Sequence, residues 1–96
     1  MATSGNFWTD RTTDGTSSTI AFDGGTATLF VQGVPDGAEI TFEFNKYGSN
    51  WEPLDLALNF DDSTGCDNFT LAACNLRSII TGGGSNMDIS AGFYTI

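Results

Sequence analysis

The strongest constraint on the fold of this chain is the strict alternation of apolar and polar side chains between residues 39 and 45. The apolar positions Ile40, Phe42 and Phe44 alternate with Glu39, Thr41, Glu43 and Asn45. An extended strand places successive side chains on opposite faces, whereas a helix would distribute these aromatic rings around its axis. The segment therefore predicts a strand of an antiparallel sheet, with one buried face and one solvent-exposed face.

Short runs of the same kind recur along the chain. Strands are predicted at residues 20–22, 27–32, 51–60, 69–71, 76–80 and 87–93, with turns such as Pro35-Asp36-Gly37 between them. Pro53 is expected to keep the start of the 51–60 run at a sheet edge, because proline has no amide hydrogen for the ladder. About seven or eight short strands at this spacing predict an all-β fold, a small antiparallel β-sandwich of the Ig-like or jelly-roll-like kind.

Residues 1–18 differ in composition from the rest of the chain. They are rich in Thr, Ser, Gly and Asp, and Phe7 and Trp8 form their only large apolar pair. This composition predicts a polar N-terminal arm, followed by one β-sandwich domain at residues 19–96. Two adjacent aromatic rings would serve little purpose in a free tail, so Phe7 or Trp8 is expected to dock on a neighbouring molecule or on the domain itself.

The charge balance restricts the partners of the chain. It has 3 Lys and Arg residues against 12 Asp and Glu residues, a formal net charge of −9. Arg11, Lys46 and Arg77 are far apart in sequence, which argues against binding to nucleic acid or to an anionic membrane surface. No segment approaches the roughly 20 apolar residues of a membrane span, and the N-terminus does not resemble a signal peptide. An acidic surface favours solubility and suits a basic partner surface.

The chemistry of the side chains argues against catalysis. Histidine is absent, which excludes Ser-His-Asp and Cys-His mechanisms. Glu39 and Glu43 share a strand face but lie roughly 13 Å apart by strand rise, beyond the 5–9.5 Å or so that glycoside hydrolysis requires. The sequence predicts no enzyme and no cofactor.

Two other features leave alternatives open. Extended chain between Cys66 and Cys74 would separate their Cα atoms by about 26 Å, so a disulfide requires the segment to turn back, and buried free thiols are favoured. The oxygen-rich group Asp61, Asp62, Asp67 and Asn68 has the ligand type that Ca²⁺ takes, although an Asp-rich solvated turn is favoured over a calcium loop.

Several aromatic residues lie where a core does not require them. Phe30 is expected to face away from Leu29 and Val31, while Tyr47, Trp51 and Tyr94 lie near turns or the C-terminus. Such residues can anchor a protein interface or stack on sugar rings. They can equally well cover the edges of a small sandwich.

Two stretches carry a resemblance to a known group of proteins. The sequences VPDGAEITFEF (34–44) and YGSNWEPL (47–54) form one strand–turn–strand pattern, and LRSIITGG (76–83) forms another strand. Together they resemble small proteins of tailed bacteriophages that decorate or cement the capsid. The resemblance extends over residues 25–96. The chain departs from the pattern at Phe42 and Phe44, where aliphatic residues are usual, and in a longer segment at residues 61–74.

The resemblance implies a structural virion protein. Such a protein is assembled in the host cytoplasm, lies on the capsid surface, and bridges subunits of the major capsid protein, with itself as a second partner in a possible homotrimer. The candidate partner-binding residues are Phe7, Trp8, Phe30, Tyr47 and Trp51. The alternative function is a carbohydrate- or receptor-binding β-sandwich module of a phage tail or surface protein.

Overall fold

The computed structural model describes residues 4–46, 50–54 and 65–96. Within these ranges the chain forms nine strands and no helix. The strands are β1 (Ser4–Arg11), β2 (Gly15–Thr16), β3 (Ile20–Phe22), β4 (Gly25–Val34), β5 (Glu39–Asn45), β6 (Glu52–Pro53), β7 (Gly65–Leu71), β8 (Cys74–Thr81) and β9 (Asp88–Thr95). The predicted all-β class is confirmed. None of the described segments forms a helix long and apolar enough to cross a membrane.

The strands form two antiparallel sheets that enclose one core. Sheet A has the order β1-β9-β4-β7, and sheet B has the order β2-β8-β5-β6, with β3 also paired to β8. The alternation within β5 is seen as far as Phe42, because Ile40 and Phe42 are 4% and 3% exposed and face the core. It is lost at the end of the strand, where Phe44 is half-buried and Asn45, predicted for the solvent-exposed face, is buried. Across the core, Leu29 of β4 and Ile89 of β9 are fully buried. This arrangement is a small β-sandwich.

Aromatic rings fill much of the space between the sheets. Phe93 of β9 lies 5.5 Å from Phe22 in an edge-to-face arrangement, and Phe69 of β7 lies 5.3 Å from Phe22. Such pairs add about 0.5–1.5 kcal/mol to the free energy of burial alone. The three-residue strand β3 and the edge strand β7 are both held against the centre of the fold by these aromatic residues.

The N-terminal segment differs from the predicted arm at residues 1–18. Residues 4–11 form β1, which pairs with β9 at the edge of sheet A, and residues 15–16 pair with β8. The β1–β9 register shifts between Asn6 and Trp8, and a bulge of this kind lets two consecutive side chains turn to the same side. Phe7 and Trp8 are both buried in the core as a result. The described part of the segment therefore belongs to the sandwich, which does not begin at residue 19.

The remaining strand and cysteine predictions have mixed outcomes. Only Glu52 and Pro53 of the predicted 51–60 strand form a described strand, β6, and it lies at the edge of sheet B as expected; residues 55–60 lie outside the described residues. Cys66 and Cys74 are free thiols, on strands of opposite sheets. The predicted burial is wrong for Cys66, which is exposed because it lies on the outer side of β7.

Candidate interaction surfaces

Among the residues that the structure describes, the outer surface of sheet A carries no charged side chain over most of its area. Alternation along its four strands places uncharged residues on this side, in cross-strand rows such as Gln32–Ser90 and Thr28–Tyr94. We call this surface the neutral face and define it as Ser4, Asn6, Thr26, Thr28, Phe30, Gln32, Cys66, Asn68, Thr70, Ser90, Gly92 and Tyr94. A charge-free sheet face is unexpected on a chain with a formal charge of −9.

An aromatic pair forms the centre of the neutral face. The rings of Phe30 and Tyr94 lie 6.3 Å apart with an interplanar angle of 35°. Phe30 is half-buried because its ring covers the backbone of Gly92, where an added Cβ would lie 3.1 Å from the ring. Tyr94 is 50% exposed. Of the two rings, that of Tyr94 is therefore more open to solvent than that of Phe30.

Beside the Phe30–Tyr94 pair, hydroxyl and amide groups of the neutral face form hydrogen bonds with one another. The Oγ1 atoms of Thr26 and Thr70 lie 2.9 Å apart, and Thr28 Oγ1 donates to Asn68 Oδ1 at 2.8 Å. Cross-strand pairs of this kind fix the side chains in one arrangement. The part of the face on β4 and β7 is therefore ordered by its own hydrogen bonds.

A shallow groove of about 440 Å³ runs along one side of the aromatic pair. Its lining is Phe30, Val31, Gln32, Gly65, Cys66 and Tyr94. The lining offers aromatic surface, one amide and one thiol, and no ionisable carboxylate or amine. This chemistry suits an uncharged group.

Acidic side chains begin at the end of the neutral face. Asp10 and Asp88 line a smaller notch of about 230 Å³, together with the exposed Val34. The backbone amide of Asp10 donates to Ser90 Oγ at 3.0 Å, which fixes the end of β1 against β9. These carboxylates mark the boundary of the neutral face on that side.

The outer surface of sheet B has a different chemistry. Arg77 of β8 pairs with Glu43 of β5 at 2.7 Å, and its guanidinium lies 4.1 Å from the centre of the Trp51 ring. We call these three residues the Trp51 cluster. Glu39 and Thr41 continue the same exposed side of β5. The cluster combines an aromatic ring with an ion pair, which is the composition of many interface anchors.

Arg11, like Arg77, is engaged within the chain. Its Nε and Nη2 donate to the carbonyls of Thr13 and Asp14 at 2.7 and 2.8 Å, and its guanidinium lies 4.8 Å from the Trp8 ring. Two of the three cationic side chains thus hold local structure. Because the chain has 12 acidic and 3 basic side chains, negative charge dominates its overall field.

Some carboxylates also have structural roles. Asp14 accepts hydrogen bonds from the amides of Gly82 and Gly83, both at 2.9 Å, and Asp36 accepts one from the amide of Asn86 at 2.9 Å. These bonds fasten the glycine-rich turn between β8 and β9 to the loops after β1 and β4. Both carboxylates serve as fixed acceptors for backbone amides.

The predicted partner-binding residues fall into three groups. Phe7 and Trp8 are each 7% exposed and belong to the core, so their side chains offer little surface to a partner. Phe30 lies at the centre of the neutral face and Trp51 in its own cluster, on opposite sheets. Tyr47 lies outside the described residues. The sequence indicates Tyr94 as an aromatic residue near the C-terminus, but only the β4–β9 register shows that it lies beside Phe30.

Only two of the four predicted calcium ligands, Asp67 and Asn68, lie within the described residues. Asp61 and Asp62 lie outside the described residues. Asp67 Oδ1 accepts a hydrogen bond from the amide of Asn68, and Asn68 Oδ1 accepts one from Thr28. Among the described residues there is no group of three or more side chains that could hold a metal ion.

We compared the chain with known proteins by family, by sequence and by structure. No protein-family model, no curated protein and no solved structure matches it.

Proposed function

We propose that this protein is a structural virion protein that decorates and cements the outer surface of a phage capsid by bridging subunits of the major capsid protein. The observation that carries the proposal is the presence of two unlike candidate surfaces on opposite sides of one thin domain. The neutral face covers sheet A, the Trp51 cluster lies on sheet B, and the domain measures 36 × 26 × 22 Å. A bridge needs two contact surfaces that point to different neighbours, and the neighbour of each surface can be a capsid subunit or a second copy of the chain.

The resemblance to phage decoration proteins supports the same proposal. Its two stretches fall on β5 and β8, which are neighbours in sheet B with Ile40 opposite Ile80 and Phe42 opposite Ser78. The turn between β4 and β5 is closed by a hydrogen bond from the Ala38 amide to the Pro35 carbonyl at 3.0 Å. These residues build the sheet that presents the Trp51 cluster.

The charge of the chain supports a basic capsid surface as the partner of sheet B. Glu39 and Glu43 lie on that side, and the whole chain carries a formal −9. Opposite charge accelerates docking and selects the correct partner, and salt screens it over about 8–10 Å. Capsid binding is therefore expected to weaken as ionic strength rises.

The test uses phage capsids that lack the protein, with the purified chain added back. Binding should raise the temperature and the urea concentration at which the shell opens, because a ligand of the assembled state stabilises it. Trp51→Ala should weaken binding, whereas Thr19→Ala, an exposed residue in the β2–β3 connection outside both surfaces, should leave it unchanged. Equal shell stability with and without the chain would refute the proposal.

A second function, a carbohydrate- or receptor-binding module of a phage tail or surface protein, is favoured by one observation. The groove beside Phe30 and Tyr94 has an open aromatic ring, the Gln32 amide and no charge. Aromatic rings and amides are the groups that hold neutral sugars. A glycan array separates the two functions: binding that Tyr94→Ala abolishes, without any effect on capsids, would favour this module.

A further inference from the structure

We infer that the neutral face is the contact between two copies of this chain, which meet face to face about a two-fold axis. The pairing depends on the surface of this chain alone. Its role, in which the pair rather than the single chain spans two capsid subunits, rests on the proposed function. Each copy would then contact the capsid through the Trp51 cluster, on the side away from its partner.

The distribution of charge is the first reason to infer that the partner of the neutral face is a second copy of the chain. Two chains of formal charge −9 repel, and a contact through the outer side of sheet B would oppose Glu39 and Glu43 with their own copies. Glu43 is paired with Arg77 within each copy, but burying Glu39 against the acidic side of a second copy is costly. Asp10 and Asp88 lie at one end of the neutral face. Asp67, between Cys66 and Asn68 on the edge strand β7, lies opposite the buried Leu29 and is therefore on the inner side of the sheet. Of the described surface, this face allows two acidic copies to approach with little repulsion.

The composition of the face is the second reason. Specific interfaces have an apolar centre and a polar rim, and here Phe30 and Tyr94 lie between rows of Thr, Asn and Ser. A basic capsid surface finds no carboxylate to pair with at this centre. A second neutral face supplies matching aromatic surface, hydroxyls and amides.

The size of the face sets the strength of the pairing. Four strands spaced by about 4.8 Å and a length of about 25 Å give on the order of 500 Å² per copy. The total for two copies, about 1,000 Å², is close to the lower limit for a specific interface. A reversible dimer with a micromolar dissociation constant is therefore expected. A single flat face that meets its own copy closes as a dimer and does not form a longer chain.

Sedimentation equilibrium of the purified full chain tests the pairing without any capsid. The mass should rise from monomer to dimer over about 1 µM to 1 mM, and NaCl should strengthen the dimer because it screens like charges. Capsid binding through the acidic side should respond to salt in the opposite direction. The two proposals can therefore fail separately.

Two substitutions that add the same charge locate the contact. Tyr94→Glu places a carboxylate from each copy at the centre of the face and should weaken the dimer at least about tenfold. Thr41→Glu adds the same charge to the exposed side of sheet B and should change it much less. Tyr94 is half-exposed, and the melting temperature of each variant checks its fold. Equal dimerisation by both variants would overturn the inference.

Thiol labelling provides an independent readout. Cys66 lies on the neutral face next to Phe30 in the β4–β7 register, so its labelling in a Cys74→Ala chain should slow as the dimer forms. In a chain that carries both Cys74→Ala and Tyr94→Glu, the rate of Cys66 labelling should stay fast at all protein concentrations. A monomer throughout the concentration range, a trimer, or a dimer with unchanged Cys66 labelling would each contradict the face-to-face pair.

Discussion

The indole Nε1 of Trp8 donates a 2.9 Å hydrogen bond to the hydroxyl of Ser78, and this bond joins the two sheets through the core. Ser78 is fully buried, and its hydroxyl in turn donates to the Thr41 carbonyl at 3.0 Å. Its backbone also exchanges hydrogen bonds with Ser17. One small polar side chain therefore connects β1, β5 and β8.

Ser78→Ala should destabilise the fold by about 1–3 kcal/mol, because it leaves the buried Trp8 N–H without an acceptor. Urea unfolding measures the loss. In a Trp8→Phe chain the same substitution should cost clearly less, since no indole N–H remains to be stranded. Equal costs in the two backgrounds would show that the Trp8–Ser78 bond contributes nothing.

Phe7→Ala should destabilise the protein by about 3–5 kcal/mol, as for other buried aromatic residues. The ring lies 5.3 Å from Phe42 and 5.9 Å from Phe93, between the two sheets. Thermal melting should show a large decrease in the midpoint. Thr9→Ala, on the exposed side of the same strand, is the control, and a Phe7→Ala chain as stable as this control would mean that β1 is not packed as described.

Gly33→Ala should destabilise the fold more than Gly25→Ala. Both glycines have positive φ, at +115° and +107°, so both substitutions strain the backbone. A Cβ at Gly33 would also collide with the Asp88 carbonyl, whereas a Cβ at Gly25 meets nothing within 4 Å. The difference in unfolding free energy isolates the collision, and a smaller cost at Gly33 would contradict the close approach of β4 to β9.

Cys74 should react more slowly than Cys66 with iodoacetamide at pH 8, with mass spectrometry as the readout. Burial raises the pKa of the Cys74 thiol above its ordinary value of 9.0, so less of the reactive thiolate is present. Cys66 is exposed. Faster labelling at Cys74 would contradict its burial.

The same pKa shift predicts a dependence of stability on pH. The folded state binds the Cys74 proton more tightly than the unfolded state. The resulting stabilisation is present below about pH 9 and is lost as the pH rises through the folded-state pKa. Relative to Cys74→Ser, the wild-type chain should lose stability as the pH rises above the ordinary thiol value of 9.0, and a Cys66→Ser chain should show the same loss as wild type. A constant difference between wild type and Cys74→Ser would refute the assignment.

The fold class could be predicted from the sequence because alternation reports directly on a half-buried strand. Ile40 and Phe42 in β5, and Ile89, Ala91 and Phe93 in β9, are buried with a period of two. The position of β1 could not be predicted in the same way. Its bulge buries Phe7 and Trp8 side by side, which breaks the alternation by which a strand is recognised.

The candidate surfaces could be predicted only in part. Phe30 was identified because it lies opposite the buried side of its strand. Tyr94 lies beside Phe30 because of the β4–β9 register. Arg77 of β8 contacts Glu43 of the neighbouring strand β5 and the ring of Trp51. A single sequence contains no signal for register between distant strands. The absence of charge from one sheet face depends on the same register and becomes visible only in the fold.

The pairing of β1 with β9 has a consequence for how this protein is made. In sheet A the first strand to leave the ribosome has the last one as its neighbour. At about 5–20 residues per second, β1 waits on the order of 4–15 s for that neighbour. During this interval Phe7 and Trp8 have no core to enter, and the nascent chain exposes them to chaperones or to neighbouring chains. Translation speed should therefore affect the yield of folded protein more than it would for a sandwich whose edge strand pairs locally.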